Sequence, residues 1–436
     1  MKEIDVLNLE WPGNERDSFS VAPIILELRN KGYTCITGDI FSHLYYLCQY
    51  RPKVLLITSF QGARVNHKVC QEAKRLGIKV ISLIAEGNLR EKSIKEMTWG
   101  HNLSREIYFE KMLVWSKRSQ DLILKYFPEL EEKVVVSGGV GFDRYKLISF
   151  KSKQAFINEQ NVEKDYDAFV GLAGWGFDKI HETEFYEKNK KAMLASMRPG
   201  QIDLHRKDFK LLTQYYYDLV TNNPRTFFIA RPHPGLMEYY YDEFKKIKDL
   251  PNVYYSKPRS CTYSISDLIS ICDIWGGYET TTCMEAWLLG KQTFLFNPSG
   301  VDFTRDITAN GSLIIENYDE LNNSMSNVSR FIEAISLDED VTVNRKKIIG
   351  DIIGYDDGKN HLRAVSEIEP VLNDSCYSNY KNYDVIRNFG ILQLSKYVIR
   401  NINILNLIRG LRVLDQDQVE RTIKVFELSK KMDELL

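Results

Sequence analysis

The sequence predicts an α/β protein of two doubly wound units in tandem, followed by a helical extension. Three observations carry this. Short runs that are apolar on both faces alternate with helical stretches, as buried parallel strands joined by crossover helices do. The alternation comes in two blocks parted by a polar stretch over 149–165. At ~150 residues per domain, 436 residues fill two or three domains with no need of disulfide or metal support.

In the first block, residues 1–150, Ile4–Leu9 is a short apolar strand closed by a Pro12-Gly13 turn. Val21–Asn30 has helical spacing up to the Gly32 break, and Tyr33–Thr37 is a second strand. Lys53–Thr58 (KVLLIT) is a buried strand; Val65–Leu76 is a helix that stops at Gly77, where a C-cap is expected, before the strand Lys79–Ile84 (KVISLI). Strand Lys111–Trp115, helix Lys117–Lys125 and strand Lys133–Ser137 repeat the pattern. The second block, 165–370, reads likewise. Strands are expected at Ala168–Leu172, Arg225–Ala230 (RTFFIA), Val253–Tyr255, Ile271–Trp275 and Thr293–Phe296. Helices are expected at Glu182–Leu219 (interrupted at Pro199-Gly200), Leu236–Ile247, Ile265–Ser270, Thr282–Leu289, Tyr318–Ile335 and Ser366–Leu372. Residues 371–436 form the extension, helical by pattern from Leu392, with Val398, Ile402, Leu405, Ile408 and Leu411 on one face. That face packs on the body or another subunit; the alternative is peripheral contact with the inner face of a membrane.

Composition narrows the function. Hydrophobic residues at 44% and charged residues at 27% exclude a disordered chain. Lys+Arg 58 against Asp+Glu 59 leaves no basic footprint for nucleic acid. No run approaches the ~20 apolar residues of a membrane span, and Met1–Leu9 lacks the apolar core of a signal peptide. Seven scattered cysteines without a CxxC pair fit reduced thiols, hence a cytoplasmic protein.

Two motifs stand at strand ends in the second block. Arg231-Pro232-His233-Pro234-Gly235 follows RTFFIA, and its prolines hold Arg231 and His233 extended, where an imidazole and a guanidinium can meet a phosphate or carboxylate. Gly276-Gly277-Tyr278-Glu279-Thr280-Thr281-Thr282 precedes a helix whose first N–H groups, with the three hydroxyls, suit an anion. A capping box of Thr282 with Glu285 is the plainer account of part of it; Glu285 alternatively reaches a ribose hydroxyl. In the first block Glu10 follows the first strand, with Arg16 nearby, and Glu86 follows KVISLI; either is placed to act as a base. Gly171–Gly176 ends another strand and offers backbone N–H groups, while Ser137–Asp143 (SGGVGFD) reads as a tight turn. His101 lies in a loop with a small claim to function. No HExxH or compact His/Asp/Glu cluster marks a metal site.

RPHPG followed by GGYETTTCMEAWLLGKQTFLF resembles the second domain of GT-B-fold enzymes of bacterial surface carbohydrate biosynthesis. These include transferases using CMP-activated Kdo or sialic-acid-like sugars and CDP-glycerol polyol-phosphate transferases. LEWPGNERDSFSVAPIILELRNKGY, KVLLIT, SLIAEGN and VVVSGGVGFDRYK are similar to the matching first domain. The resemblance covers residues 1–370 and implies two Rossmann-like domains facing across a cleft. The first would be the acceptor side and the second the nucleotide-sugar side. It implies a metal-independent glycosyltransferase without cofactor, passing a sugar from a CMP-linked donor to a glycan or lipid-linked acceptor. His233 would contact phosphate or sugar carboxylate, Thr280, Thr281 and Thr282 the phosphate, and Glu285 the nucleoside. Arg16, Arg231, Gly276 and Gly277 would complete the donor site, with Glu10 or Glu86 as base. A polyol-phosphate transferase and a nucleotide-sugar epimerase of the same fold are the alternatives; the epimerase would turn over without an acceptor.

Overall fold

The computed structural model describes residues 1–12, 15–60, 62–181, 184, 186–187, 199–257, 262–303, 305–387 and 418–433. It forms two units, Met1–Ile148 with Ile349–Leu436, and Ser149–Ile348. Each is built on a six-stranded sheet in which every pairing is parallel. The two are Rossmann-like, the chain ends in helical segments, and the architecture is GT-B-like.

The first sheet contains β1 (Lys2–Glu10), β2 (Cys35–Asp39), β3 (Tyr50–Thr58), β4 (Lys79–Leu83), β5 (Lys111–Val114) and β6 (Val134–Val136), in the order β2-β1-β3-β4-β5-β6. In β3, Val54 and Leu56 face one side and Leu55 and Ile57 the other, and all four are fully buried. This double burial is why the strand reads as an unbroken apolar run rather than an alternating one.

One of those faces is completed from far along the chain. Helix Glu15–Asn30 lies on it with helix Asn360–Asn373, through Ala364, Val365, Ile368 and Leu372. Helix Gln418–Asp433 adds Val419, Ile423 and Phe426, an ion pair from Glu420 to Arg29, and a Thr422–Ser18 hydrogen bond of 3.1 Å. Residues 349–370 thus belong with the first unit rather than with the second. The apolar face expected at Val398–Leu411 lies outside the described residues, as do Gly13 and Cys261.

The SGGVGFD turn is the seat of this returning segment. Gly139 N donates to Ile353 O (2.8 Å), and buried Asp143 accepts from the N–H groups of Asn360 and His361 and from the His361 ring. Gly138 takes a positive φ of 87°, and a side chain there would strike Asn360.

The second sheet contains β7 (Ala168–Ala173), β8 (Thr226–Arg231), β9 (Val253–Tyr255), β10 (Ile274–Gly277), β11 (Gln292–Phe296) and β12 (Leu313–Ile315), in the order β12-β11-β10-β7-β8-β9. Helix Gln201–Asn222 covers one face with Phe209, Leu212, Tyr216 and Leu219. The helix expected over Leu236–Ile247 is absent: only Tyr239–Tyr241 forms a 3-10 turn, followed by consecutive turns. Here Asp242 accepts from Phe244 N and from the Tyr255 hydroxyl, and Glu243 from Trp175 N, so acidic side chains serve as turn and tertiary anchors instead of lining a helix. Tyr318–Ile335 is likewise two helices, broken at Asn327, whose side chain caps the second. Among the described residues no helix is long and apolar enough to cross a membrane.

Candidate functional site

In an open parallel sheet, ligands bind outside the carboxyl ends of the strands where the strand order reverses. The first sheet reverses between β1 and β3. A cavity of about 600 Å³ lies there, lined by Trp11, Arg16, Asp17, Thr58, Asn66, Glu86 and His101, among others.

Glu10, the last residue of β1, ties the two strands together. Its Oε1 accepts from Asn8 Nδ2, Thr58 N and Thr58 Oγ1, each at 2.9 Å, while its Oε2 is buried with no partner. Burial, then the neighbouring Asp17 carboxylate, pushes its pKa up to about 8 despite those three donors. Glu10 is therefore a protonated acid at neutral pH. Glu86 is the opposite: exposed on the loop after β4 and ion-paired to Arg16 at 2.9 Å. The two carboxyl groups proposed for one role thus occupy different environments. The Arg16–Glu86 pair is solvated on both sides, so Glu86→Gln is expected to leave unfolding free energy unchanged within ~1 kcal/mol. Urea denaturation checks this, and any loss of function in that variant is then chemical.

His101, which the sequence singled out, lines this wall too; Trp11, Ser59 and Asn66 were missed. Asn66 donates to the carbonyls of Thr58 and Ser59 and accepts from Trp11 Nε1 at 2.8 Å. Ser59 holds a left-handed φ of 52°, and its hydroxyl accepts from Ala85 N. Only the left-handed residue at the end of β3 carries a local strain signal, and it is invisible without coordinates.

The second sheet reverses between β7 and β10. The register sets Gly277 of β10, Ala173 of β7 and Arg231 of β8 abreast, so both sequence motifs leave the sheet at one edge, on either side of β7. His233 accepts from Gly235 N through Nδ1 (3.0 Å), which leaves Nε2 to carry the proton. Burial, then the nearby Lys179, lowers its pKa to about 4. The ring is a neutral donor at physiological pH, not a cation. Lys179 supplies positive charge beside it that the sequence pattern did not reveal.

The glycines have packing reasons. A side chain at Gly276 would meet the Phe294 ring, one at Gly277 the Ala173 carbonyl, and one at Gly174 the backbone of Pro232 and His233. The N–H groups of Gly174 and Trp175, expected to face a ligand, already donate to Arg231 O and Glu243 Oε1. The Thr282–Glu285 capping box does not form. Thr281 is the N-cap of helix Thr282–Leu288 and makes no side-chain cap; Thr280 Oγ1 accepts from Thr282 N, and Thr282 Oγ1 accepts from Trp275 Nε1 (2.8 Å). Glu285 stands in the first turn of that helix.

Behind the loop lies a buried polar chain. Gln201 Nε2 meets His205 Nε2 (3.2 Å), His205 Nδ1 meets the Tyr278 hydroxyl (2.6 Å), and that hydroxyl donates to Asp208 Oδ2 (2.7 Å). Burial lowers the His205 pKa to about 4, so the ring is neutral. Tyr278 is thereby anchored from inside the domain. Among the described residues no group of three or more His, Cys, Asp or Glu side chains could hold a metal ion.

No protein-family model and no curated protein matches the chain. Solved structures do. A UDP-N-acetylglucosamine 2-epimerase is 14% identical with a TM-score of 0.55, over 87% of this chain and 98% of its own. S. aureus MnaA in complex with UDP is 13% identical with a TM-score of 0.53, over 86% and 97%. UDP-GlcNAc 2-epimerase from Neisseria meningitidis, bound to UDP-GlcNAc, is 13% identical with a TM-score of 0.52, over 84% and 100%. At such identity the likeness establishes the fold: a GT-B-like protein of two Rossmann-like units. It also corrects the transferase expectation. Epimerases invert a centre within one nucleotide sugar, whereas the reading from motifs required a separate acceptor and a CMP-linked donor. That reading rested on strand-end motifs, and their place at one sheet edge does not by itself distinguish transfer to an acceptor from a change within one sugar.

Proposed function

We propose that the protein is a nucleotide-sugar epimerase that acts on a UDP-linked amino sugar without any acceptor. The fold likeness to epimerases supports it, and one observation from the site carries it: at the carboxyl edge of the first sheet, buried Glu10 lies behind a cavity that exposed, ion-paired Glu86 lines. Inverting a carbon that bears hydrogen removes a proton and returns one, which calls for an acid and a base. Protonated Glu10 suits the acid and ion-paired Glu86 the base. In the second unit, His233 would donate through Nε2 to a phosphate oxygen, Thr281 through its hydroxyl, and one of Thr280 and Thr282, whose hydroxyls bond each other at 2.7 Å. Arg231, Gly276 and Gly277 would shape that edge, and Glu285 would accept from a ribose hydroxyl. Arg16 would hold Glu86 in place.

The test is turnover of UDP-N-acetylglucosamine in D₂O with no acceptor, followed by proton NMR. The expected result is a second epimer carrying solvent deuterium at the inverted carbon. An unchanged substrate without deuterium would sink the proposal.

A further inference from the structure

The turns that replace the expected helix over Leu236–Ile247 sort their side chains by chemistry. The two acids in the middle go inward: Asp242 and Glu243 are buried, on Phe244 N, the Tyr255 hydroxyl and Trp175 N. The apolar and aromatic tip goes outward, with Met237 65%, Tyr239 60% and Tyr240 72% exposed. Several contacts hold that tip in place. Tyr241 stacks on His181 with 4.1 Å between ring centroids and meets the Tyr240 ring edge-on at 5.1 Å. Lys245 Nζ donates to Tyr240 O at 2.9 Å and lies 4.4 Å from the centroid of the Tyr240 ring.

Cations border the tip. Lys246 and Lys248 are exposed, and Lys246 Nζ donates to a neutral oxygen, Gln214 Oε1 of helix Gln201–Asn222, at 2.7 Å. Lys210, exposed on the same helix, is close enough to His181 to act on its charge. With Asp242 and Glu243 withdrawn, the outward acids of 236–250 are Glu238 and Asp249, against Lys245, Lys246 and Lys248. Single exposed apolar side chains are ordinary; three within four positions, bordered by cations, form a patch that calls for a partner. Side chains more than half exposed stand clear of the body rather than line a groove, so they fit a surface that deforms around them. A tyrosine, apolar in its ring and polar at its tip, belongs at the headgroup level of a bilayer, where lysines meet lipid phosphates. Apolar burial and electrostatic attraction together are what hold a peripheral protein on an anionic membrane.

We infer that residues 237–248 of the second unit dock on an anionic lipid surface, with Met237, Tyr239 and Tyr240 entering the headgroup layer and Lys245, Lys246 and Lys248 meeting the lipid phosphates. This goes beyond the epimerase reading and stands or falls without it. The experiment is co-sedimentation of the full-length protein with vesicles of phosphatidylcholine alone and of phosphatidylcholine with equal parts phosphatidylglycerol. Wild type should bind the anionic vesicles at least ~10-fold more tightly, and high salt should remove the difference. Two double variants locate the contact: Tyr239→Ser with Tyr240→Ser, and Lys246→Gln with Lys248→Gln. Each should weaken binding to anionic vesicles roughly 10-fold, with thermal unfolding like that of wild type. Absence of binding, or equal binding to both kinds of vesicle, would overturn the inference. A folded variant that binds like wild type would put the contact elsewhere and overturn it too. Should the tyrosine variant not fold, the lysine variant decides by the same comparison. Analytical ultracentrifugation without vesicles tests the other occupant: self-association that the tyrosine variant abolishes would make this face a contact between copies of the chain and overturn the lipid assignment.

Discussion

Wild-type protein should lose stability relative to Glu10→Gln by about 1.4 kcal/mol for each pH unit between about 5 and 8. The sign follows from the environment of the carboxyl group. In the unfolded chain Glu10 ionises near its ordinary value of 4.5, and in the folded protein only near 8, because burial and then Asp17 disfavour the charge. Between those values the folded state holds a proton that the unfolded state has released, so raising the pH favours unfolding. Below 4.5 both states are protonated and the dependence vanishes; above about 8 both are ionised and it levels off.

Glutamine keeps an oxygen for the donors Asn8 and Thr58 but cannot ionise. Its amide leaves buried N–H groups unpaired at the site of Oε2, so the variant starts less stable at low pH by ~1–3 kcal/mol. Three pH units at that slope amount to about 4 kcal/mol, so the stability gap should reverse by pH 8. Other buried acids, Glu243 among them, are common to both proteins and cancel in the difference. Urea unfolding of the pair at several pH values is the measurement. Parallel stability curves would mean that Glu10 is ionised in the fold, and its role as an acid would fall with them.

The second large effect is expected at Gly354. This residue ends helix Glu339–Ile352 with a φ of 91°, and its N–H donates to Ile349 O at 3.0 Å. A methyl group there would lie 2.2 Å from the carbonyl oxygen of Trp115. The obstacle is backbone, held in the first sheet's loop region, so it cannot rotate away as a side chain would. Gly354→Ala combines the left-handed penalty with overpacking and should cost ~2–4 kcal/mol. Gly350→Ala, in the helix interior with nothing within 4 Å of the added carbon, is the control. It should stabilise by about 0.5–1 kcal/mol, because alanine loses less freedom in a helix. Equal effects of the two substitutions would show that the seat of the returning segment is not as close-packed as described.

These two residues illustrate what reading along the chain could and could not reach. Glu10 was found because it follows an apolar strand, and strand ends are where parallel sheets present ligands. Its protonation state depends on Asp17, Asn8 and Thr58 converging from the sheet edge and the following helix, which no local pattern encodes. Gly354 drew no attention because the reading along the chain placed no helix between Ile335 and Ser366, where the structure has Glu339–Ile352. Its severity comes from Trp115, more than two hundred residues earlier in the chain.

The motifs of the second unit divide in the same way. RPHPG and GGYETTT were legible as strand-end elements, and the register does put them on one edge. Their glycines, however, make room for Phe294 and for the backbone of Ala173, and two backbone N–H groups of the Gly171–Gly176 run are spent inside the domain.

What the sequence determined by itself is eleven of the twelve strands, all but β12, and hence the fold class. KVLLIT, KVISLI and RTFFIA are buried on both faces, and double burial imposes an apolar run that survives in one dimension. What only the tertiary structure decided is electrostatic state and partnership: Glu10 protonated and Glu86 solvated, His233 neutral, and the C-terminal helices claimed by the first sheet. Burial and pairing are set by side chains distant in sequence, and the free energy of a charge depends on what surrounds it in space.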